Sequence, residues 1–125
     1  MKPQAEQSLL QARAFLDAAE LLQTQGLTNP SVSAAIHAAI HAKDALCIEA
    51  LGTTKGTKNH AQAIKELENT GLTPRRQLEQ FSSVIASKSE AEYGSRDLSE
   101  AKGQVVRTQA IRFCHFVMDL LKFVK

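Results

Sequence analysis

The sequence predicts an all-α fold, an up-and-down bundle of four to five antiparallel helices, with residues 1–125 forming one domain. Three observations predict it. Apolar residues recur at helical spacing along most of the chain, as expected for helices that each bury one face. No stretch alternates convincingly as a strand would. The breaks between periodic stretches are short and rich in glycine, proline and threonine, so successive helices should return alongside one another.

The first helix is read from about Ala5 to Gln25, where Leu9, Ala12, Leu16, Ala19 and Leu22 share a face and Gly26 supplies a stop. Asn29 and Pro30 then offer a cap and a first-turn proline for a second helix, which runs to Leu51 and ends at Gly52. This helix is the centre of the predicted bundle. Val32, Ala35, Ile36, Ala39, Ile40, Lys43, Leu46, Cys47 and Ala50 form one stripe along it. Ala34, His37, Ala38, His41, Ala45 and Ile48 form a second stripe of small residues and imidazoles. A helix that is apolar on two sides packs on both.

Residues 52–59 include two glycines, three threonines and two lysines but no acid, which makes them a locally basic surface loop open to an anion. The loop leads to His60 at the start of a third helix, read from about Asn59 to Thr70 and closed by Gly71. Thr73 and Pro74 open a fourth, running to about Ser87 through Leu78, Phe81, Val84 and Ile85. Residues 88–96 are read as a connection, because Gly94 and Ser95 break any continuation. Asp97 to Glu100 has capping-box spacing, so the last helix is expected to start there and run to the end of the chain. Phe113, Phe116, Val117, Leu120, Leu121 and Val124 cover most of its circumference. That is more apolar surface than one core needs, and it predicts a homodimer through this helix.

With 15 basic and 13 acidic residues the net charge is only +2, so any nucleic-acid-binding patch has to be local. Cys47 and Cys114 sit in apolar helical stretches and read as buried free thiols of a cytoplasmic protein. No apolar run reaches the roughly 18 residues of a membrane span, and no membrane partner is expected. A glycine-rich phosphate loop after a strand, a Cys-x-x-Cys pair and a Gly-x-Ser-x-Gly elbow are all missing. Their absence argues against nucleotide-fold, zinc and serine-hydrolase readings.

Two groups of residues remain as candidates for chemistry. His37 and His41 lie four apart with Asp44 three further on, a spacing at which imidazoles can share a metal. No third histidine is suitably placed, so a core or interface role is preferred and neither metal nor cofactor is expected. His60 follows Lys55 and Lys58, which places an imidazole, two ammonium groups and the N–H groups of a helix start where a phosphate can be held.

The order of these features resembles the HEPN family of small helical domains over most of the chain. Ala35, His41, Ala42, Ala45 and Leu46 match a pattern Ala-x-x-x-x-x-His-Ala-x-x-Ala-Leu, and residues 88–93 resemble an Arg-x-x-Ala-Asp-Tyr segment of one branch. The Thr/Lys-rich loop before His60 and the final helix from Glu100 complete the resemblance. It implies binding of nucleotide or RNA, or pairing with a nucleotidyltransferase in a toxin–antitoxin system. Ribonuclease members carry an arginine followed, after four to six residues, by a histidine. Lys88 and Tyr93 stand in those places here, which implies a non-catalytic or weakly catalytic domain.

The phosphate-contact candidates are therefore Lys88, Tyr93, His60 and His41, with Lys58 and Arg96 beside them. His41 is expected to face one crevice with His60 and residues 88–93, whereas His37 occupies a place where related chains often have an aromatic. Two alternatives stand: a metal-independent ribonuclease in which His60 or His41 replaces the missing histidine and Lys88 or Arg96 grips phosphate, and a purely structural dimerising bundle.

Overall fold

The computed structural model describes residues 1–56, 59–94 and 97–123. The described chain runs α1 (Pro3–Thr24), α2 (Thr28–Leu51), α3 (His60–Asn69), α4 (Arg75–Ala86), α5 (Lys88–Tyr93) and α6 (Glu100–Leu120). The all-α bundle expected from the periodicity is the fold observed, with no strand among the described residues.

Every other helix packs against α2. The two stripes read from its sequence explain this: Val32, Ala35, Ile36, Ala39 and Leu46 on one side, and Ala34, Ala38 and Ala45 on the other, are all buried. Leu9, Ala12 and Ala19 of α1 close one flank, and Val106, Ala110, Phe113 and Val117 of α6 close another. Where α1 turns into α2, the Ser31 hydroxyl donates to the Ala19 carbonyl at 2.7 Å, so a buried polar group is satisfied across the helix pair. Gly52 ends α2 in the left-handed conformation at φ +82°, and its N–H donates to the Ile48 carbonyl.

Several boundaries differ from expectation, each for a tertiary reason. Asn29 lies inside α2 rather than capping it, and its side-chain oxygen accepts from the N–H of Leu98 at 2.7 Å. The cap of α6 is Ser99, whose hydroxyl oxygen accepts from the Lys102 N–H, and Glu100 turns instead to the Thr28 hydroxyl and Arg107. Residues 88–93, read as part of a connection, form α5 after a break at Ser87, because α5 docks on α2. The last helix stops at Leu120 rather than running on, where Lys122 at φ +56° turns the chain and the Phe123 N–H returns to the Met118 carbonyl.

The apolar surface of α6 is also smaller than its sequence suggests. Phe113 and Val117 are buried, Phe116 and Leu121 pack against the core, and Leu120 is 39 % exposed; Val124 lies outside the described residues. Both cysteines are free and buried, as expected, and burial pushes the Cys47 thiol up to about 12. No helix among the described residues is long and apolar enough to cross a membrane.

Arg107 is the odd member of the core. Its side chain is 2 % exposed, and its Nη2 donates to Glu100 and, at 3.1 Å, to Gln104. Its Nε and Nη1 have no partner among the described residues. Each buried unpaired donor costs about 1–3 kcal/mol, while Glu100, at 60 % side-chain exposure, keeps its own solvation without the arginine. Arg107→Met is therefore expected to leave stability unchanged or raise it by about 1–2 kcal/mol, read as a higher urea midpoint. A loss of more than about 1 kcal/mol would show that the guanidinium holds the α2–α6 contact.

Candidate functional site

Two polar clusters are built on α2. In the first, Ser33, His37 and His41 are spaced by four and so share one face, and α5 presents Lys88 and Glu92 at the same spacing. Glu92 joins the two helices. One carboxylate oxygen lies 2.8 Å from Nε2 of His37 and accepts from the Ser33 hydroxyl at 3.1 Å, and the other lies 3.9 Å from Nζ of Lys88. With its side chain only 14 % exposed, Glu92 needs these partners to remain ionised.

Phe15 of α1 covers the imidazoles. Its ring centroid is 5.5 Å from that of His37 and 5.4 Å from that of His41, the latter stacked at 13°. Burial lowers the pKa of His41, opposed by the charge of Asp44 and reinforced by His37. His41 is thus neutral at pH 7, with a lone pair available to accept a proton. Tyr93, the chain's one tyrosine, ends α5 with 80 % of its surface in solvent.

The second cluster lies towards the C-terminal end of α2. Lys43 is fully buried, and its ammonium donates to Glu66 at 2.5 Å, to Thr54 and the Gly56 carbonyl at 3.1 Å each, and to Asp44 at 3.3 Å. Glu66, on α3, also accepts from the Thr54 hydroxyl at 3.1 Å and from the backbone N–H of Lys55 at 3.0 Å. Burial alone would raise the Glu66 carboxyl, but the bonds from Lys43, Lys55 and Thr54 outweigh it and hold the pKa below its usual value. Gly56 adopts φ +79°, which lets the loop turn its carbonyl onto the ammonium. One buried lysine thereby fixes the loop after α2 to α3.

His41 and Lys88 both belong to the first cluster, linked through Phe15, His37 and Glu92, and Tyr93 stands beside it in solvent. His60 is the half-buried first residue of α3, where Asn59 caps the helix by accepting from the Gln62 N–H at 3.1 Å. No described hydrogen bond, ion pair or ring contact joins His60 to either cluster. Lys58 and Arg96 lie outside the described residues. No group of three or more metal-ligating side chains suited to an ion is found among the described residues.

Sequence reasoning set His37 aside, yet it makes the direct contact to α5. Glu92 and Phe15 were not singled out. The available signal for Glu92 was its position four residues after Lys88. Lys43 was placed on the buried stripe, but its need for a buried carboxylate was not followed to Glu66.

The family model described as HEPN domain matches residues 5–124, nearly the whole chain. No curated protein matches it.

Proposed function

Since the chain belongs to the HEPN family, whose domains have nucleotide- and RNA-related functions, we propose that it is a non-catalytic or weakly catalytic domain that grips RNA or nucleotide on the α2–α5 face. Its partner in the cell is a nucleotidyltransferase, as one half of a toxin–antitoxin pair in the cytoplasm, and it works as a homodimer.

The observation that carries the reading is Tyr93. A phenol ring 80 % exposed at the end of a helix whose first residue is a lysine is a platform for an unpaired base beside a phosphate contact. The Glu92 bonds to His37 and Ser33 fix the short helix that displays it, so the platform is ordered before ligand arrives.

The test is an anisotropy titration of labelled single-stranded RNA at low salt in EDTA. Tyr93→Ala is expected to weaken binding by about 1–3 kcal/mol, the worth of one stacked base, and Lys88→Ala by roughly tenfold with a shallower salt dependence. Absence of any binding at low salt would leave the purely structural bundle as the reading.

A second reading, the metal-independent ribonuclease, is favoured by one observation: burial keeps His41 in its neutral, proton-accepting form. RNA cleaved in EDTA by the parent protein but intact with His41→Ala would establish it. RNA intact in both supports the binding domain.

A further inference from the structure

We infer that the cleft between the loop after α2 and the outer face of α3 binds a small phosphomonoester that also carries hydrogen-bond donors, of the size of a nucleoside monophosphate. The inference rests on the nucleotide-related reading above but names a different place, remote in sequence from Lys88 and Tyr93.

The cleft has a volume of about 360 Å³, at the small end of the roughly 300–1,000 Å³ usual for small-molecule sites. One wall is a helical stripe, Gln62, Lys65, Glu66 and Asn69, whose spacing puts all four on one face of α3. Thr53 and Lys55 form the opposite side, and Leu51 adds an apolar surface.

The charges in the cleft are layered. Glu66 is 7 % exposed and sits at the inner end. Its Oε1 is saturated by Lys43, Thr54 and a share of the Lys55 N–H, but Oε2 accepts only that N–H, at 3.0 Å. A carboxylate oxygen accepts two bonds, so Oε2 retains a lone pair that only an N–H or O–H donor can use. Lys55 and Lys65 are exposed at the rim, and neither ammonium is in an ion pair among the described residues. Two free cations outside and an ionised acceptor inside reject a simple carboxylate or a bare cation. They suit a ligand with a phosphate at one end and ring N–H or sugar hydroxyls at the other, while the amides of Gln62 and Asn69 can read both donors and acceptors on a ring edge.

The Lys43 network contributes rigidity. It fastens Thr54, Lys55 and Gly56 in place without ligand, so little ordering cost remains on binding.

The experiment is a titration of the intact protein with GMP, AMP, ribose 5-phosphate and inorganic phosphate, followed by backbone amide shifts in NMR. Saturable shifts at Thr53, Lys55, Gln62 and Asn69 are expected with either nucleotide. Lys65→Ala or Gln62→Ala, both surface substitutions, should weaken the titration about tenfold and about threefold, respectively. Inorganic phosphate should bind at least tenfold more weakly than the nucleotides. Phosphate binding as tightly as GMP would overturn the ligand class. Nucleotide shifts confined to Lys88 and Tyr93 would overturn the cleft and leave the α5 reading standing. No nucleotide shift anywhere would also overturn the cleft, and the RNA titration then decides the family-level reading separately.

Discussion

Lys43→Met is expected to lower the free energy of unfolding by about 3–5 kcal/mol, the cost of leaving one member of a buried ion pair without the other. The cost is not mainly the lost contact. Glu66 stays behind with its carboxylate buried and two hydrogen bonds in place of a full set, while the Gly56 carbonyl loses its donor. Urea unfolding followed by circular dichroism measures this. The double substitution Lys43→Met with Glu66→Gln should recover part of the loss, because the uncompensated charge is gone. A loss below about 1 kcal/mol in the single variant would mean that the loop swings away and lets water reach Glu66.

The same pair sets a pH dependence. The folded-state pKa of Glu66 lies below its unfolded value, so its stabilisation is complete above the unfolded pKa of about 4.3 and is lost as pH falls through the folded one. In Lys43→Met the burial term acts with much less opposition. The gap between parent and variant should therefore narrow on acidification below about pH 4.

Phe113→Ala carries the other large effect, an expected loss of about 3–5 kcal/mol. Phe113 is fully buried and meets Phe81 of α4 at 5.0 Å between ring centroids and Phe116 at 6.4 Å. It is the aromatic join between α6 and α4, and the alanine leaves a cavity that two helices cannot both close. Phe113→Leu keeps most of the volume and should cost about 1.5 kcal/mol or less. The urea midpoint should fall in both variants with the slope unchanged. Similar losses in the two would show that the ring's edge contacts, and not the cavity, set the cost.

These two positions also show what was legible in the sequence. Phe113 announces itself: it lies on an apolar stripe of helical period, and the period is a local property that tertiary context here leaves intact. The same holds for α2, whose two small-residue stripes led to its central place. Lys43 is different. Its stripe predicted burial, but the carboxylate that burial demands lies 23 residues away, and no local rule pairs them. Arg107 is hidden for the same reason. The site was legible in part: Lys88, Tyr93 and His41 were named, and His60 and Lys58 were attached to them through family resemblance. The described contacts instead give α5 its seat through Glu92 and His37. That seat depends on two helices meeting, so residues 88–93 read as a connection until α2 is placed beside them.

Alanines make up much of the buried surface of α2, with Ala34, Ala35, Ala38, Ala39, Ala42 and Ala45 all inside. A methyl group has no rotamers to lose, whereas a buried leucine or methionine gives up about 0.5–2 kcal/mol of conformational entropy. The helix that touches every other is thus the one whose side chains are cheapest to order. Its neighbours can also approach closely, near the lower end of the roughly 8–10 Å range of helix separations. Much of the entropy cost of folding then falls on the longer side chains that α1, α4 and α6 direct inward onto a smooth axis.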